Sequence, residues 1–256
     1  MVPYKNDFQA IAIDQMKKKE NIKKVIYKTN IQDFLNKQMQ SKERIEILEA
    51  GCGSNSIQNI KFPQAMSITG IDISQKQLDR NNFLSRKILG DLEKYNFEDD
   101  RFDLIVCWDV LEHLQNPKQA LDNMSKAMKP GALMVLKLPN LMSFKGLFTR
   151  FSPHSIHVLY YKLIYKQANA GKDDVGPFKT FLKFAVAPNS LKRFAQSKGM
   201  QVVYFEIRDA SEEPYFFIRI KYRKLLLAIY NTFKTLCSIL SFGYLKGSEL
   251  LIVLQK

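Results

Sequence analysis

The sequence predicts an α/β fold, a mostly parallel sheet whose strands are joined by helices. Three observations predict it. From residue 45 onward, apolar runs of strand length alternate with helix-competent segments, and that alternation implies right-handed crossovers between parallel strands. The first run, Ile45 to Ala50, empties into the tight turn Gly51-Cys52-Gly53. A glycine loop at the carboxyl end of a strand is where such sheets bind nucleotides. A later run, residues 101–107, is apolar enough to be buried on both faces, as strands of a parallel sheet are.

In chain order, residues 1–44 are basic and nearly free of glycine and proline after Pro3. Ile22, Val25, Ile26 and Thr29 share one helical face, with Lys23, Lys24 and Lys28 elsewhere on the wheel. One or two helices are expected there, as an extension packed against the domain or over its ligand. Lys17-Lys18-Lys19 reads as a solvated helix end. Strand one covers about 45–50. Strand two covers Ser67 to Ser74, with Asp72 at its carboxyl end, about twenty residues beyond the glycines. At that spacing an acid on the neighbouring strand can accept hydrogen bonds from both hydroxyls of a ribose. Ser74 reads as the N-cap of a helix through Arg80 and Leu84. A short third strand ends at Leu89-Gly90-Asp91, which brings a second acid to the same edge.

Strand four runs to Cys107 and delivers Trp108-Asp109-Val110-Leu111-Glu112-His113-Leu114. A helix over 117–128 starts on Pro117, Lys129-Pro130-Gly131 reads as a turn, and Ala132 to Leu138 as strand five. Residues 141–187 break the rhythm with many aromatics and two histidines; an insertion after strand five hangs over the ligand edge, so it reads as a substrate cap. Pro188-Asn189-Ser190 opens a helix to Lys198, Gly199 ends it, and Met200 to Ile207 forms strand six. Residues 211–248 form a basic amphipathic insertion: no acid falls between Pro214 and Gly247, and Leu225, Leu226, Ile229, Tyr230, Phe233 and Leu236 keep helical spacing. Glu249 to Leu254 is the last strand.

Composition narrows the partners. The net charge is +14, from 39 basic and 25 acidic residues, which fits an anionic partner or a basic solvated surface. Three cysteines without metal-ligand spacing argue for a reducing compartment and against a disulfide framework or a cysteine zinc site; no metal is expected. Residues 1–20 contain no apolar core of a secretory signal, and no window reaches the length of a membrane span. The expectation is a single cytoplasmic domain over 1–256, peripheral to the inner membrane face if the basic insertion touches lipid.

Two cofactor classes fit a glycine loop with an acid one strand along. A dinucleotide wants a third glycine where this chain has Ser56. S-adenosylmethionine carries no phosphate, and Glu49, two residues before Gly51, suits its ammonium group and would repel a pyrophosphate.

Glu49-Ala50-Gly51-Cys52-Gly53 resembles the first motif of class I S-adenosylmethionine-dependent methyltransferases. Gly70-Ile71-Asp72-Ile73-Ser74 is similar to the family's second strand and ribose acid, and Gly90-Asp91-Leu92 to its adenine-binding turn. The run Phe102 to Leu114 resembles the fourth-strand motif of the subgroup that includes quinone and small-molecule O-methyltransferases; Lys129-Pro130-Gly131-Ala132 matches the turn before strand five. The resemblance covers about residues 45 to 140, with strands six and seven reappearing at the end. It departs at Asn55, where many members have a third glycine.

The resemblance implies a Rossmann-like seven-stranded mixed sheet, order 3-2-1-4-5-7-6, with the last strand antiparallel and helices on both faces. It implies S-adenosylmethionine as cofactor. Asp72, followed by Ile73, would hold the ribose, and Asp91 and Leu92 the adenine. Glu49 and the Gly51-Cys52-Gly53 backbone would sit near the methionine moiety, and Trp108 and Asp109 would border the sulfonium and the acceptor. Trp108 also fits a core aromatic at a strand end. A hydroxyl acceptor needs its proton removed by a group near neutral pKa, and the only histidines are His113, His154 and His157. Each is a candidate base and each also fits plain packing. The acceptor expected is a small molecule or a lipid-linked one, methylated on a hydroxyl of a hydrophobic or glycan-type metabolite. Transfer to nitrogen or carbon, or a non-catalytic membrane-associated module, are the alternatives. Nucleic acid is not expected. The 211–248 segment suits an anionic membrane surface, closure over the chain's own sheet, or a homodimer face.

Overall fold

The structure is a computed structural model that describes residues 31–54, 60–99, 101–164, 168–172, 176–209, 232, 235–236 and 247–256. The face Ile22–Thr29, Asn55, Ser56 and nearly all of the 211–248 insertion lie outside the described residues. The chain divides into two compact units, residues 1–43 with 58–65 and residues 44–57 with 66–256.

In the first unit residues 31–39 form a helix, α1. Ile31, Leu35 and Met39 recur every four residues along it and are buried. The Gln32 amide clamps the returning strand of chain: its Nε2 donates to the Lys61 carbonyl at 2.6 Å and its Oε1 accepts from the Lys61 N–H at 3.0 Å.

The second unit is built on seven strands: β1 (Arg44–Ala50), β2 (Ala65–Asp72), β3 (Arg86–Leu89), β4 (Phe102–Trp108), β5 (Met128–Pro139), β6 (Gln201–Arg208) and β7 (Glu249–Gln255). Their order is β3-β2-β1-β4-β5-β7-β6, the order the resemblance implies. β1 and β4 pair in parallel, as do β4 and β5, while β7 is antiparallel to both β5 and β6. The centre of the sheet is dry. Phe102 to Cys107 of β4 and Leu250 to Leu254 of β7 are all buried, which explains why their sequences are apolar throughout but for Asp103, whose carboxylate is paired with Lys129 at 3.0 Å. Burying each aliphatic side chain contributes about 1.5–3 kcal/mol. That column fixes the carboxyl edges of β1 and β4, the crevice at which the strand order reverses.

Among the elements described in full, five helices follow α1: α2 (Gln75–Arg80), α3 (Pro117–Ala127), α4 (Phe144–Phe151), α5 (His154–Ile164) and α6 (Pro188–Ser197). Two expectations need correction. The helix after β2 ends at Arg80 and does not reach Leu84. Asn81 turns the chain into extended backbone and spends its fully buried side chain on the glycine loop, so a tertiary hydrogen bond outweighs helix propensity. Lys129-Pro130-Gly131 is not a turn before β5 but an irregularity inside it. Pairing jumps from Phe102–Met128 to Leu104–Leu133, and Gly131, at φ +76°, donates its N–H to the Lys256 carbonyl. The glycine absorbs the extra residues as a bulge and the strand continues.

Candidate active site

β1 ends where Gly51 and Gly53 take φ of +72° and +56°, the left-handed region open to glycine. The N–H groups of Gly51 and Cys52 both donate to the Ile71 carbonyl at 2.8 and 3.1 Å, which folds the loop onto β2. A Cβ on Gly51 would meet Val110 Cγ2 at 2.4 Å, so this glycine is required twice, by its φ and by its neighbour. Behind the loop, Asn81 Nδ2 donates to the carbonyls of Cys52 and Gly53.

Asp72 closes the loop from the other side. Its Oδ2 accepts from the Gly53 N–H and its Oδ1 from the Ser74 N–H, both at 2.9 Å. Each oxygen keeps lone-pair capacity for a ligand donor. Ser74 caps α2 as its sequence implies, accepting from the Gln77 N–H. One strand further out, the Asp91 carbonyl accepts from Lys94 and Tyr95 and its Oδ1 from Glu93. Asn123 of α3 holds the Leu92 carbonyl at 2.9 Å.

The turn after β4 is the most polar part of the site. Asp109 sits at φ +55°, one of two non-glycine residues with positive φ among the described residues. Lys137 of β5 holds it at both ends: the Asp109 N–H donates to the Lys137 carbonyl at 2.8 Å and Lys137 Nζ donates to Asp109 Oδ2 at 2.5 Å. Burial raises the Asp109 carboxyl above the usual range, against the pull of Lys137. Glu112 is 3% exposed and its Oε2 has no partner among the described residues; burial, reinforced by the Asp109 charge, pushes it up to about 8. Glu112 is therefore a neutral acid at pH 7 beside an ion-paired Asp109.

His113 ends the single turn of 3₁₀ helix that follows. Its Nδ1 lies 3.0 Å from the Lys179 carbonyl. A carbonyl only accepts, so Nδ1 carries the proton and Nε2 holds the lone pair. Burial lowers its pKa below 6.5, which keeps the ring neutral and basic at pH 7.

The cap insertion supplies the opposite wall. The N–H groups of Phe181 and Leu182 donate to the Glu112 carbonyl at 2.8 and 2.9 Å, and Arg150 of α4 donates to the carbonyls of the same two residues. The Phe178 ring meets the His113 ring edge-on at 6.0 Å.

These parts enclose a cleft of about 410 Å³, lined by Gly51, Gly53, Ile71, Asp72, Ile73, Ser74, Gln77, Gly90, Asp91, Leu92, Trp108, Asp109, Val110, His113, Leu114, Phe178, Lys179 and Phe181. Apart from Gln77 in the first turn of α2, each lining residue before Leu114 comes from the carboxyl end of β1, β2, β3 or β4 or the turn after it. Among the described residues no group of three or more His, Cys, Asp or Glu side chains is placed to hold a metal ion, and no helix is long and apolar enough to cross a membrane.

The methyltransferase-domain family matches residues 21–174 of the sequence, well over half of the chain. The chain belongs to this family. A ubiquinone biosynthesis O-methyltransferase of Coxiella burnetii is 22% identical over 164 residues, covering 61% of this chain and 64% of that protein. The chain thus spans less than two thirds of the length of such curated relatives. Among solved structures, a putative sarcosine dimethylglycine methyltransferase from Galdieria sulphuraria superposes with a TM-score of 0.53 at 14% identity, covering 90% of this chain and 84% of that one. The [4+2]-cyclase SpnF superposes with a TM-score of 0.52 at 13% identity, covering 89% of this chain and 80% of that one. Those two likenesses show the fold alone.

The cofactor of this class I methyltransferase family is S-adenosylmethionine, and the residues present fit it. Gly53 leaves room where a Cβ would stand, Asp72 presents a carboxylate to the cleft, and Ile73 is 75% exposed within its lining, an apolar surface that a bound base would cover. Of the residues expected at the site, Gly51, Gly53, Asp72, Ile73, Asp91, Leu92, Trp108, Asp109 and His113 line one cleft. Glu49 and Cys52 are buried and do not line it. Cys52 sits behind the loop, where burial, with Asp72 and Glu49 adding to it, pushes the thiol up to about 12. His154 and His157 do not line the cleft either. The His157 Nε2 is 2.7 Å from the Ser152 hydroxyl, inside the cap.

The sequence reading named neither Lys137 nor Asn81, and although it put Val110 and Leu114 in the run after strand four and residues 178–181 in the cap, it picked out none of them as site residues. Lys137 had a signal: a lone cation in the apolar run Ala132 to Leu138 must find a counter-ion. Within the expected cap nothing local singled out residues 178–181, because His113 and Lys179 meet across 66 residues of sequence.

Proposed function

We propose that the chain transfers a methyl group from S-adenosylmethionine to a hydroxyl of a hydrophobic, lipid-linked or glycan-type metabolite. In this reading Asp72 takes the ribose hydroxyls, Asp91 and Leu92 the adenine, and the glycine loop the methionine end. S-adenosylmethionine supplies a methyl group made electrophilic by positively charged sulfur. The chain's own residues do the rest. Phe178, Phe181 and Trp108 wall the cleft on the acceptor side and keep the hydroxyl out of water. His113 Nε2 would accept the hydroxyl proton as the oxygen forms its bond to the methyl carbon and the carbon–sulfur bond breaks, its electron pair leaving with sulfur as the neutral sulfide. Alignment of the two reactants supplies up to about 7–11 kcal/mol.

The observation that carries this reading is the tautomer of His113, fixed by the Lys179 carbonyl, on a neutral ring that lines the cleft. The O-methyltransferase name of the Coxiella burnetii relative supports oxygen as the acceptor atom. The test is incubation with methyl-labelled S-adenosylmethionine and fractionated hydroxylated metabolites, followed by identification of the labelled product. A methyl ether supports the reading. Label recovered on nitrogen or carbon, or no transfer despite cofactor binding, contradicts it.

A further inference from the structure

Lys137 does not line the cleft, yet it anchors a line of alternating charge along the carboxyl edge of the sheet. Its Nζ lies 2.5 Å from Asp109 Oδ2 and 3.2 Å from Glu249 Oε1. Glu249 Oε2 accepts from Arg208 Nε at 3.2 Å, and Arg208 lies 3.8 Å from Glu206. The register places these groups side by side: Trp108 pairs with Lys137, and Glu249 pairs with both Pro139 and Arg208. The side chain of Lys137 is only 12% exposed. A buried ammonium of that kind is retained where its charge is matched. Here the match is one-sided in function: Asp109 faces the cleft, whereas Glu249 and Arg208 lie behind.

We propose that Lys137 is a positioning residue that holds Asp109 ionised and turned toward the cleft, so that the site favours the positively charged sulfonium of the cofactor over the neutral sulfide left after transfer. The proposal rests on the reading that Asp109 borders the sulfonium. The geometry supports a dedicated clamp, because one residue engages both the N–H and the carboxylate of Asp109, whose φ of +55° is strained for a residue with a side chain. The groups facing Asp109 are Lys137 from β5, Glu249 from β7, and Glu112 and His113 from its own turn. Glu112 is neutral at pH 7 and His113 is neutral, so Lys137 is the cation that opposes burial of the Asp109 charge. Burial works against the Lys137 charge too, but Asp109 and Glu249 outweigh it and raise the ammonium above its usual range. Without Lys137, Asp109 takes up a proton at higher pH and the negative face of the cleft is lost.

Trp108 is the only tryptophan of the chain and lines the cleft, so its fluorescence reads binding directly. The affinities of S-adenosylmethionine and S-adenosylhomocysteine are measured from pH 5 to 8.5 in the wild type, Lys137→Met, Lys137→Arg and Asp109→Asn. The two ligands differ in the charge on sulfur, so the ratio of their affinities reports the potential at that point, and homocysteine-form binding reports an intact site. The ratio falls as pH drops through the Asp109 titration. The proposal predicts that its midpoint moves up by about one to two pH units in Lys137→Met, that Lys137→Arg restores it, and that Asp109→Asn removes the transition that Lys137→Met moves, leaving only what Glu112 and His113 contribute. A midpoint unmoved in Lys137→Met while Asp109→Asn responds overturns the role of Lys137 alone. A ratio indifferent to Asp109→Asn overturns the placement of Asp109 at the sulfonium, and the proposal with it. If Lys137→Met fails to fold, Glu249→Gln removes the rear carboxylate and must leave the midpoint nearer the wild type than Lys137→Gln does; equal effects overturn the proposal.

Discussion

The two walls of the cleft are built in different ways. The wall formed by the turns after β1, β2 and β3 is held by backbone groups that meet a few short-range acceptors: Gly51 and Cys52 on the Ile71 carbonyl, Gly53 and Ser74 on the Asp72 carboxylate. The wall formed by the cap is held across long stretches of chain, by His113 on the Lys179 carbonyl and Arg150 on the carbonyls of Phe181 and Leu182. The first kind is tied to the sheet itself, because its turns are fixed by hydrogen bonds to β2 and its carboxyl end. The second kind can be rebuilt without disturbing the sheet. A single fold can therefore keep one cofactor and change acceptors, and SpnF, a cyclase by its description, shares this fold.

That difference can be broken at three points. The largest effect is expected at His113. His113→Gln keeps a ring-sized polar group but loses the base, so kcat falls by about 10²–10⁴-fold while cofactor affinity is unchanged; a parallel loss of affinity would place His113 on the cofactor wall. In the wild type the acid limb of kcat/KM lies below pH 6.5, because burial lowers the His113 pKa and the neutral ring is the active form.

Glu112 tests the floor between the walls. Its pKa is about 8 in the fold against 4.5 unfolded, so the folded state binds the proton more tightly. The stability that Glu112 contributes is fully present below pH 4.5 and is lost as pH rises from 4.5 toward 8. Glu112→Gln removes that penalty and stabilises the protein at pH 7 by about 3 kcal/mol, with no gain at pH 4. Chemical denaturation at the two pH values measures it; equal gains at both would mean that packing, not ionisation, sets the cost.

The smallest effect is expected at Arg150. Arg150→Met loses two hydrogen bonds to the cap wall, each contributing about 1 kcal/mol. KM for the acceptor then rises about 3- to 30-fold with cofactor affinity intact, as steady-state kinetics and binding would show. A change in cofactor affinity instead would erase the distinction between the walls.

The same contrast explains what the sequence revealed. The strands themselves, the glycine loop and Asp72 were legible because each is a local pattern: an apolar run, a turn that needs positive φ, an acid one strand along; the order of the seven strands came only from the family resemblance. α2 was expected too long because the demand on Asn81 comes from the glycine loop, 28 residues away. The Lys129-Pro130-Gly131 stretch was expected as a turn because a bulge inside a strand uses the same residues. Three histidines looked equivalent, since nothing local distinguishes His113 from His154 and His157; only the fold brings the Lys179 carbonyl to one of them.

The most direct measurement is the affinity of S-adenosylmethionine for Asp72→Ala beside His113→Gln, read from Trp108 fluorescence. The alanine variant loses the carboxylate that holds the Gly53 N–H and faces the cleft, with charge-assisted hydrogen bonds of about 1.5–3 kcal/mol each at stake. The account predicts a loss of about 10- to 100-fold for Asp72→Ala and a change of less than about threefold for His113→Gln. Unaltered binding by Asp72→Ala would contradict the site.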